Sequence, residues 1–196
     1  MRILAVDPGL TRCGVGVVDL TEGRRVSFVD VFVVQTPPSA QLSDRLFALH
    51  TAIDEAIGRH SPQRIALERV FAQHNLRTVM GTAQVSGVVL ALAGARELTV
   101  SLHTPSEVKA AVSGNGRANK VQVASAVRQI LKLDDGSLLA DATDALALAV
   151  CSAWREGSGA ASDSGAPGAT PGEGLTPAQQ LWRDAERRAP RPRRPA

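Results

Sequence analysis

Four acidic residues stand beside the most apolar segments of this chain. Asp7 and Glu68 each follow a short apolar run, and Asp141 and Asp144 open an Ala- and Leu-rich stretch. A carboxylate next to a buried segment loses hydration worth roughly several kcal/mol unless a cation or a metal compensates it. No Lys or Arg is adjacent in sequence to Asp7, Asp141 or Asp144. We therefore expect the four acids to share a divalent metal ion.

The length and composition favour one domain with an appendage. The chain has 196 residues, of which 44% are hydrophobic, enough for one core of about 150 residues. We predict one folded domain over residues 1–156 and a tail over 157–196. The longest apolar stretch, residues 85–95, is too short for the ~20 residues of a membrane span. Without a secretory signal, and with two isolated cysteines, the chain is expected in the cytoplasm.

The tail has the composition of a disordered segment. Residues 157–174 are almost wholly Gly, Ala, Ser, Pro and Thr, which bury too little apolar surface to offset the entropy of ordering. Residues 176–189 are compatible with a short helix, and the chain then ends in a basic, proline-rich segment. Two interpretations stay open, namely an idle tail and an auxiliary contact with DNA or a partner.

Hydrophobic periodicity predicts an α/β fold with a mixed five-stranded sheet flanked by helices. The first three strands are joined by short turns and should be antiparallel, whereas later strands alternate with helices. A Thr-Pro-Ser-Glu segment at residues 104–107 has the form of a capping box that opens a helix. The predicted strands are 2–7, 13–20, 24–35, 64–68 and 98–102, and the predicted helices are 41–60, 75–95, 104–113, 117–133 and 138–154.

The placement of the acids indicates a metal site at one end of this sheet. Asp7 and Glu68 end strands, and sites in α/β sheets form at strand ends. Asp141 and Asp144 are three residues apart, so they share one face of a helix. Oxygen ligands of this kind suit Mg²⁺, and paired metal ions promote phosphodiester hydrolysis. Two structural alternatives stay open, namely that the helical pair complements the helix dipole and that Asp7 serves only as a turn former.

Four separated motifs carry a family resemblance. They are ILAVDPGLTRCGVGVV, IALERVFAQHN, PSEVKAAVSGNGRANKVQV and ADATDALALAV. In order they span about residues 1–154, and they resemble the RuvC family of Holliday junction resolvases. The resemblance implies a ribonuclease H-like fold and a homodimer. It also implies an endonuclease that uses Mg²⁺ to nick two opposed strands of a four-way junction symmetrically, in recombination and repair.

The resemblance assigns roles to the four acids. Asp7, Glu68, Asp141 and Asp144 correspond to the catalytic carboxylates that bind metal, with two Mg²⁺ ions per subunit and Mn²⁺ as a substitute. Some members carry His at the position of Asp141. The family also works with the RuvA-RuvB branch-migration complex, which is therefore an expected partner.

The same resemblance assigns residues to DNA binding. The basic junction-binding positions fall on Lys109 and Lys120, and the aromatic residue that stacks near the crossover falls on Phe71. Arg117 is grouped with the two lysines because residues 104–132 hold five basic side chains and one acidic side chain. Such a stretch would bind phosphates. The alternatives are a solvated helix face for the basic residues and an ordinary core position for Phe71.

The helix predicted over residues 75–95 carries a stripe of mostly small residues. Val79, Ala83, Gly87 and Leu90 lie on one face of it, where they would allow a second backbone to approach closely. A core helix is the simplest interpretation. In the family the corresponding helix helps to form the dimer interface, and both interpretations hold if different stripes face the core and the twofold axis.

Other functions compete with this one. The pattern of Asp7, Gly9 and Thr11 is also the phosphate loop of actin-like ATPases, but those enzymes need a second domain of similar size. A YqgF-type nuclease associated with RNA processing shares the fold and the opening strand. The Val-Phe pair after Glu68 and the glycine-rich turn at residues 114–120 favour RuvC. A catalytically inactive junction-binding module would lack one of the four acids, and none is missing.

Overall fold

A mixed five-stranded sheet with helices on both faces organises the protein in the computed structural model. The structure describes residues 1–70, 76–134 and 140–157, and all of them belong to one structural unit. The strands are β1 (Arg2–Asp7), β2 (Arg12–Leu20), β3 (Val26–Gln35), β4 (Arg64–Glu68) and β5 (Thr99–His103). The helices are α1 (Leu42–His60), α2 (Leu76–Ala95), α3 (Pro105–Ser113), α4 (Lys120–Leu131) and α5 (Ala140–Gly157).

Strand β1 lies at the centre of the sheet, whose order is β3-β2-β1-β4-β5. It pairs antiparallel with β2 and parallel with β4. Its four apolar residues, 3–6, are fully buried because helices cover both faces of the sheet. A continuous apolar run is what such a strand requires. The predicted antiparallel start and the mixed five-stranded sheet are confirmed.

The two faces of the sheet have separate cores. On one face, α1 and α2 pack through Leu49, Ile53, Val85 and Val89. On the other, α3, α4 and α5 pack through a larger cluster that includes Val108, Val127 and Leu146. Alternate residues of β1 and β4 serve the two clusters, since neighbouring side chains of a strand point to opposite faces. The acidic helix α5 therefore covers one face of the sheet with α3 and α4.

Local signals placed most helix boundaries correctly. The predicted capping box is present: the Thr104 hydroxyl accepts a hydrogen bond from the Glu107 amide, and the Glu107 carboxylate accepts one from the Thr104 amide. A second capping box, formed by Asn119 and Gln122, opens α4 at Lys120 rather than near residue 117. Lys120 is thus held at the first position of its helix by a local hydrogen-bond pair.

Three predictions differ from the structure or lie outside its described part. A 3₁₀ turn over Glu22–Arg24, with Arg24 at a positive φ of 62°, joins β2 to β3 and delays the third strand to Val26. Phe71 and the tail over 158–196 lie outside the described residues. Within the described part of the chain, no helix is both long enough and apolar enough to cross a membrane.

Candidate active site

Asp7 and Glu68 end two neighbouring parallel strands. Val6 of β1 is paired in register with Leu67 of β4, so the two acids come one residue later at the same end of the sheet. Both side chains are half-buried. The predicted meeting of two strand-end carboxylates is therefore present in the fold.

The turn after Asp7 is tight. The Gly9 amide donates a hydrogen bond of 3.1 Å to the Asp7 carbonyl oxygen. A Cβ at position 9 would lie 2.0 Å from the carbonyl oxygen of Arg12, so only glycine fits between the turn and the start of β2. The turn thus places Arg12 at the same end of the sheet as Asp7.

Two glycines of β2 bring the acidic helix onto the sheet. A Cβ at Gly14 would lie 2.3 Å from the carbonyl oxygen of Asp141, and a Cβ at Gly16 would lie 3.0 Å from the carbonyl carbon of Ala145. Gly14 is also the register partner of Asp7. The first turn of α5 therefore lies directly beside the end of β1, because the two positions of β2 that face it carry no side chain.

A cavity of about 280 Å³ forms where these elements meet. Apolar side chains of α3, α4 and α5 contribute Val108, Val123 and Ala147 to its wall. Its charged lining consists of three of the four predicted acids and two of the predicted basic residues, namely Asp7, Glu68, Asp144, Lys109 and Lys120.

A larger cavity, of about 470 Å³, lies elsewhere, beside Met1 and the end of α1. Its polar side chains already have partners, since Arg2 binds Asp19 at 2.8 Å and His60 binds Asp30 at 2.9 Å. Cavity volume therefore does not identify the functional site. The smaller cavity is identified by carboxylates that lack counter-charges.

The strand-end acids resist ionisation. Burial raises the pKa of Asp7 to about 7, helped by the negative charges of Glu68, Asp144 and Asp141, while Lys120 opposes the shift. Burial, then Asp144, also raises the pKa of Glu68, against the attraction of Lys109 and Lys120. The site thus concentrates more negative charge than its own lysines neutralise, which is the electrostatic condition that a divalent cation relieves.

The expectation that the acids lack counter-charges is wrong for the pair on α5. Arg12 forms an ion pair with Asp141, and Lys120 binds Asp144 at 3.2 Å. Both cations come from other elements, so adjacency in sequence could not reveal them. Among the described residues, Asp7 and Glu68 form no ion pair. The uncompensated charge therefore belongs to the strand ends.

The donor set fits a hard divalent ion in its chemistry. It consists of carboxylate oxygens, the ligands that Mg²⁺ prefers, and the pKa of Asp7 is raised first by burial and then by the neighbouring carboxylates. Within the described residues, no three His, Cys, Asp or Glu side chains lie close enough together to hold an ion. The carboxylates of α5 stand apart from the strand-end acids for a physical reason. Asp141 is directed toward Arg12, and Asp144 is directed toward Lys120.

The predicted DNA-binding residues fall in three places. Lys109 and Lys120 line the acidic cavity from α3 and α4. Arg117 is exposed in the loop between these helices, where its amide donates to the Asn115 side chain, and it does not line the cavity. Phe71 lies outside the described residues.

Three site residues escaped the sequence reasoning. Arg12 pairs with Asp141 across 129 positions of sequence, and no local pattern encodes that contact. Gly14 and Gly16 left a readable signal, since glycines at alternate positions of an apolar strand indicate close approach by another backbone. Only the identity of the approaching element, the first turns of α5, needed the tertiary structure.

Comparison with known proteins decides the family. The family model described as crossover junction endodeoxyribonuclease RuvC matches residues 3–152. This chain belongs to the RuvC family. A crossover junction endodeoxyribonuclease RuvC of Leifsonia xyli subsp. xyli is 55% identical over 192 residues, which cover 95% of this chain and 92% of that relative. As a RuvC family member the chain is a nuclease, a hydrolase of phosphodiester bonds, and membership implies the use of a divalent metal ion.

Solved structures agree with the family. The structure described as T. thermophilus RuvC in complex with Holliday junction substrate is 30% identical, with a TM-score of 0.77 over 81% of this chain and 96% of that one. The yeast mitochondrial Holliday junction resolvase Ydc2 has a TM-score of 0.60 at 15% identity, covering 79% of this chain and 78% of that one, and supports the fold alone. The ribonuclease H-like fold is confirmed, and the RuvC match displaces the ATPase and YqgF alternatives.

Proposed function

We propose that this RuvC family member resolves Holliday junctions by paired, symmetric nicks on opposed strands. The observation that carries the proposal is the convergence of Asp7, Glu68 and Asp144 with Lys109 and Lys120 around one cavity. Carboxylates for metal and lysines for phosphate are what a metal-dependent nuclease needs in one place. Asp7 and Glu68, at the ends of their strands, contribute to the lining of this cavity.

We assign the metal to Asp7, Glu68, Asp141 and Asp144, with Mg²⁺ as the ion and two ions per subunit. When bound, the ions supply activation of water and stabilisation of the leaving oxygen. Asp7 and Glu68 hold fixed positions because they end the two central parallel strands. Asp141 and Asp144 complete the set from α5 once Arg12 and Lys120 release them. The proposed products carry 5′-phosphate and 3′-hydroxyl ends.

The lysines of the cavity wall are the proposed phosphate contacts. Lys120 is well placed for this role because 77% of its side chain is exposed although its ammonium group reaches Asp144. Lys109 is half-buried beside Glu68, and its positive charge partly opposes the rise in the pKa of Glu68 that burial causes. Arg117 extends the basic surface into the loop before α4. Phe71, three residues after Glu68, is the proposed stacking residue at the crossover.

We infer that the protein works as a homodimer through α2. The side chains of Met80 and Leu90 are 52% and 46% exposed, and Ala83 and Gly87 are exposed between them. The spacing of these four residues, three or four apart, makes one continuous stripe along the helix. A Cβ at Gly87 would meet nothing within 4 Å in this chain, so the packing within the subunit does not require a glycine there. A second α2 helix against this stripe would use the small residues.

A dimer would present two active sites to the two opposed strands of one junction. The proposed partners are therefore four-way junction DNA, a second copy of the chain and the RuvA-RuvB branch-migration complex. The substrate also indicates the compartment: we infer the cytoplasm, where bacterial relatives keep their DNA.

Cleavage of a mobile four-way junction, compared with linear duplex and an RNA/DNA hybrid of the same sequence, tests the proposal. Nick positions should map to symmetric sites on two opposed strands of the junction, and only with a divalent ion present. Equal cleavage of the linear duplex, or preferred cleavage of the hybrid, would contradict it.

A further inference from the structure

The ion pair between Arg12 and Asp141 is open to solvent. The two side chains are 43% and 28% exposed, respectively. By contrast, Arg64 of β4 and Glu156 of α5 form an ion pair whose side chains are only 18% and 19% exposed, respectively. The Ser101 hydroxyl forms hydrogen bonds with both residues. Open ion pairs contribute little stability, so Arg12 can leave Asp141 at small cost.

The guanidinium of Arg12 has unused donors. It binds Asp141 through Nε, and among the described residues its two terminal nitrogens have no partner. Arginine presents several donors in one plane and is suited to bidentate contact with phosphate. Arg12 also opens β2 beside the turn that follows Asp7, so it lies at the rim of the acidic site.

We propose that Arg12 is an exchangeable counter-ion: it neutralises Asp141 in the free protein and transfers to a backbone phosphate of the bound nucleic acid, which frees Asp141 for the metal. This inference rests on the proposed function. Since both ligands draw on the same ion pair, metal binding and nucleic-acid binding strengthen each other. Arg12 is thus a positioning residue for Asp141.

The test combines two measurements on the full chain, neither of which depends on turnover. Calorimetry measures the affinity of the free protein for Mn²⁺, and junction binding in EDTA at several salt concentrations gives the salt slope. The variants are Arg12→Gln, which removes the charge, and Arg12→Lys, which keeps it. Arg59→Gln is the matched control. Arg59 is exposed near the end of α1, so this substitution removes one positive charge at a position away from the site.

Arg12→Gln should bind Mn²⁺ about two- to fivefold more tightly than wild type, the size expected for loss of an open ion pair. It should also lower the salt slope of junction binding by about one, as expected for one lost phosphate contact. Arg12→Lys keeps the charge, so its salt slope should match wild type and its Mn²⁺ affinity should lie closer to wild type than that of Arg12→Gln. Arg59→Gln should match wild type in both quantities.

Two results would overturn the inference while leaving the proposed function intact. In one, wild type cuts junctions and Arg12→Gln changes neither Mn²⁺ affinity nor salt slope. In the other, Arg12→Gln weakens Mn²⁺ binding, which would make Arg12 a support that holds Asp141 ready for metal. A wild-type protein that neither binds Mn²⁺ nor cuts junctions would overturn the inference and the proposed function together.

Discussion

Gly14 lies so close to Asp141 that a Cβ at position 14 would be 2.3 Å from the Asp141 carbonyl oxygen. Gly14→Ala should therefore push the first turn of α5 away from β2 and displace its acids. We expect junction cleavage to fall about 100-fold, as for a displacement of about 1 Å in an active site, and stability to fall by about 1–3 kcal/mol. Gly58→Ala in α1, where a Cβ meets nothing within 4 Å, should leave cleavage unchanged. Equal cleavage by both variants would refute this role of Gly14.

Asp7→Asn should separate binding from chemistry. The amide keeps the shape of the carboxylate but removes a charge that the metal needs, so cleavage should fall more than about 100-fold. Junction binding in EDTA should be at least as tight as in wild type, because one negative charge fewer faces the phosphates. Gel-shift and nicking assays on the same synthetic junction measure both quantities. Near wild-type cleavage in Mg²⁺ would show that the site is wrongly assigned.

Asp7 should also destabilise the metal-free protein at alkaline pH. Its pKa of about 7 exceeds the ordinary value of 3.8, so its contribution to stability is fully present below pH 3.8 and lost as the pH rises through 7. In EDTA at pH 8, Asp7→Asn should be more stable than wild type by about 2–4 kcal/mol. The difference should shrink as the pH falls and vanish near pH 4.

The difference between the two proteins is the quantity to measure, because another group acts in the opposite direction. Burial, then Arg155, lowers the pKa of His103 to about 4, so its contribution is present above pH 6.5 and lost as the pH falls toward 4. Thermal unfolding of wild type alone would mix the two effects. A constant difference between the variants from pH 4 to pH 8 would contradict the prediction for Asp7.

Lys120→Ala should weaken junction binding and reduce its salt slope by about one, as expected when one phosphate contact is lost. Arg59→Ala is the control, since it removes one exposed basic side chain near the end of α1, outside the basic stretch. Fluorescence anisotropy at several salt concentrations gives both slopes. The same slope for both variants would count against a phosphate contact at Lys120.

Gly87→Glu should convert the proposed dimer to a monomer, because it places a long charged side chain in the exposed stripe of α2. The subunit itself should stay folded, since a Cβ at position 87 meets no atom within 4 Å and Glu favours helix more than Gly does. Light scattering after size exclusion measures the mass, with Gly58→Glu as the matched control. A dimer that survives Gly87→Glu would place the interface elsewhere.

Local patterns predicted most of the fold. The apolar run of β1 identified a central strand, and apolar spacing located α1 to within one residue of its start. Connections were harder: the turn at residues 22–24 adopts a 3₁₀ conformation with Arg24 at positive φ, which its sequence does not announce. The Asn119 and Gln122 capping box was readable but missed, so α4 was expected to begin too early.

The residues placed by strand order were predictable from the sequence. The contacts that depend on the packing of α5 were not. Asp7 and Glu68 meet because both end strands that pair in parallel, a consequence of topology. The partners of Asp141 and Asp144 come from β2 and α4, and these contacts form only when α5 packs on the sheet. Sequence reasoning therefore identified residues that line the cavity but misjudged the charge balance of the helical pair.

The strand that carries Asp7 is buried on both faces and paired along both edges, whereas the other half of the site lies on a helix. Asp7 cannot shift without moving the middle of the sheet, whereas Asp141 and Asp144 lie on a helix that rests on two bare positions of β2. An ion of different radius, or a different ligand at position 141, would require the first turn of α5 to shift over those glycines. Redesign of metal preference should therefore begin at the first turn of this helix and leave the strand ends untouched.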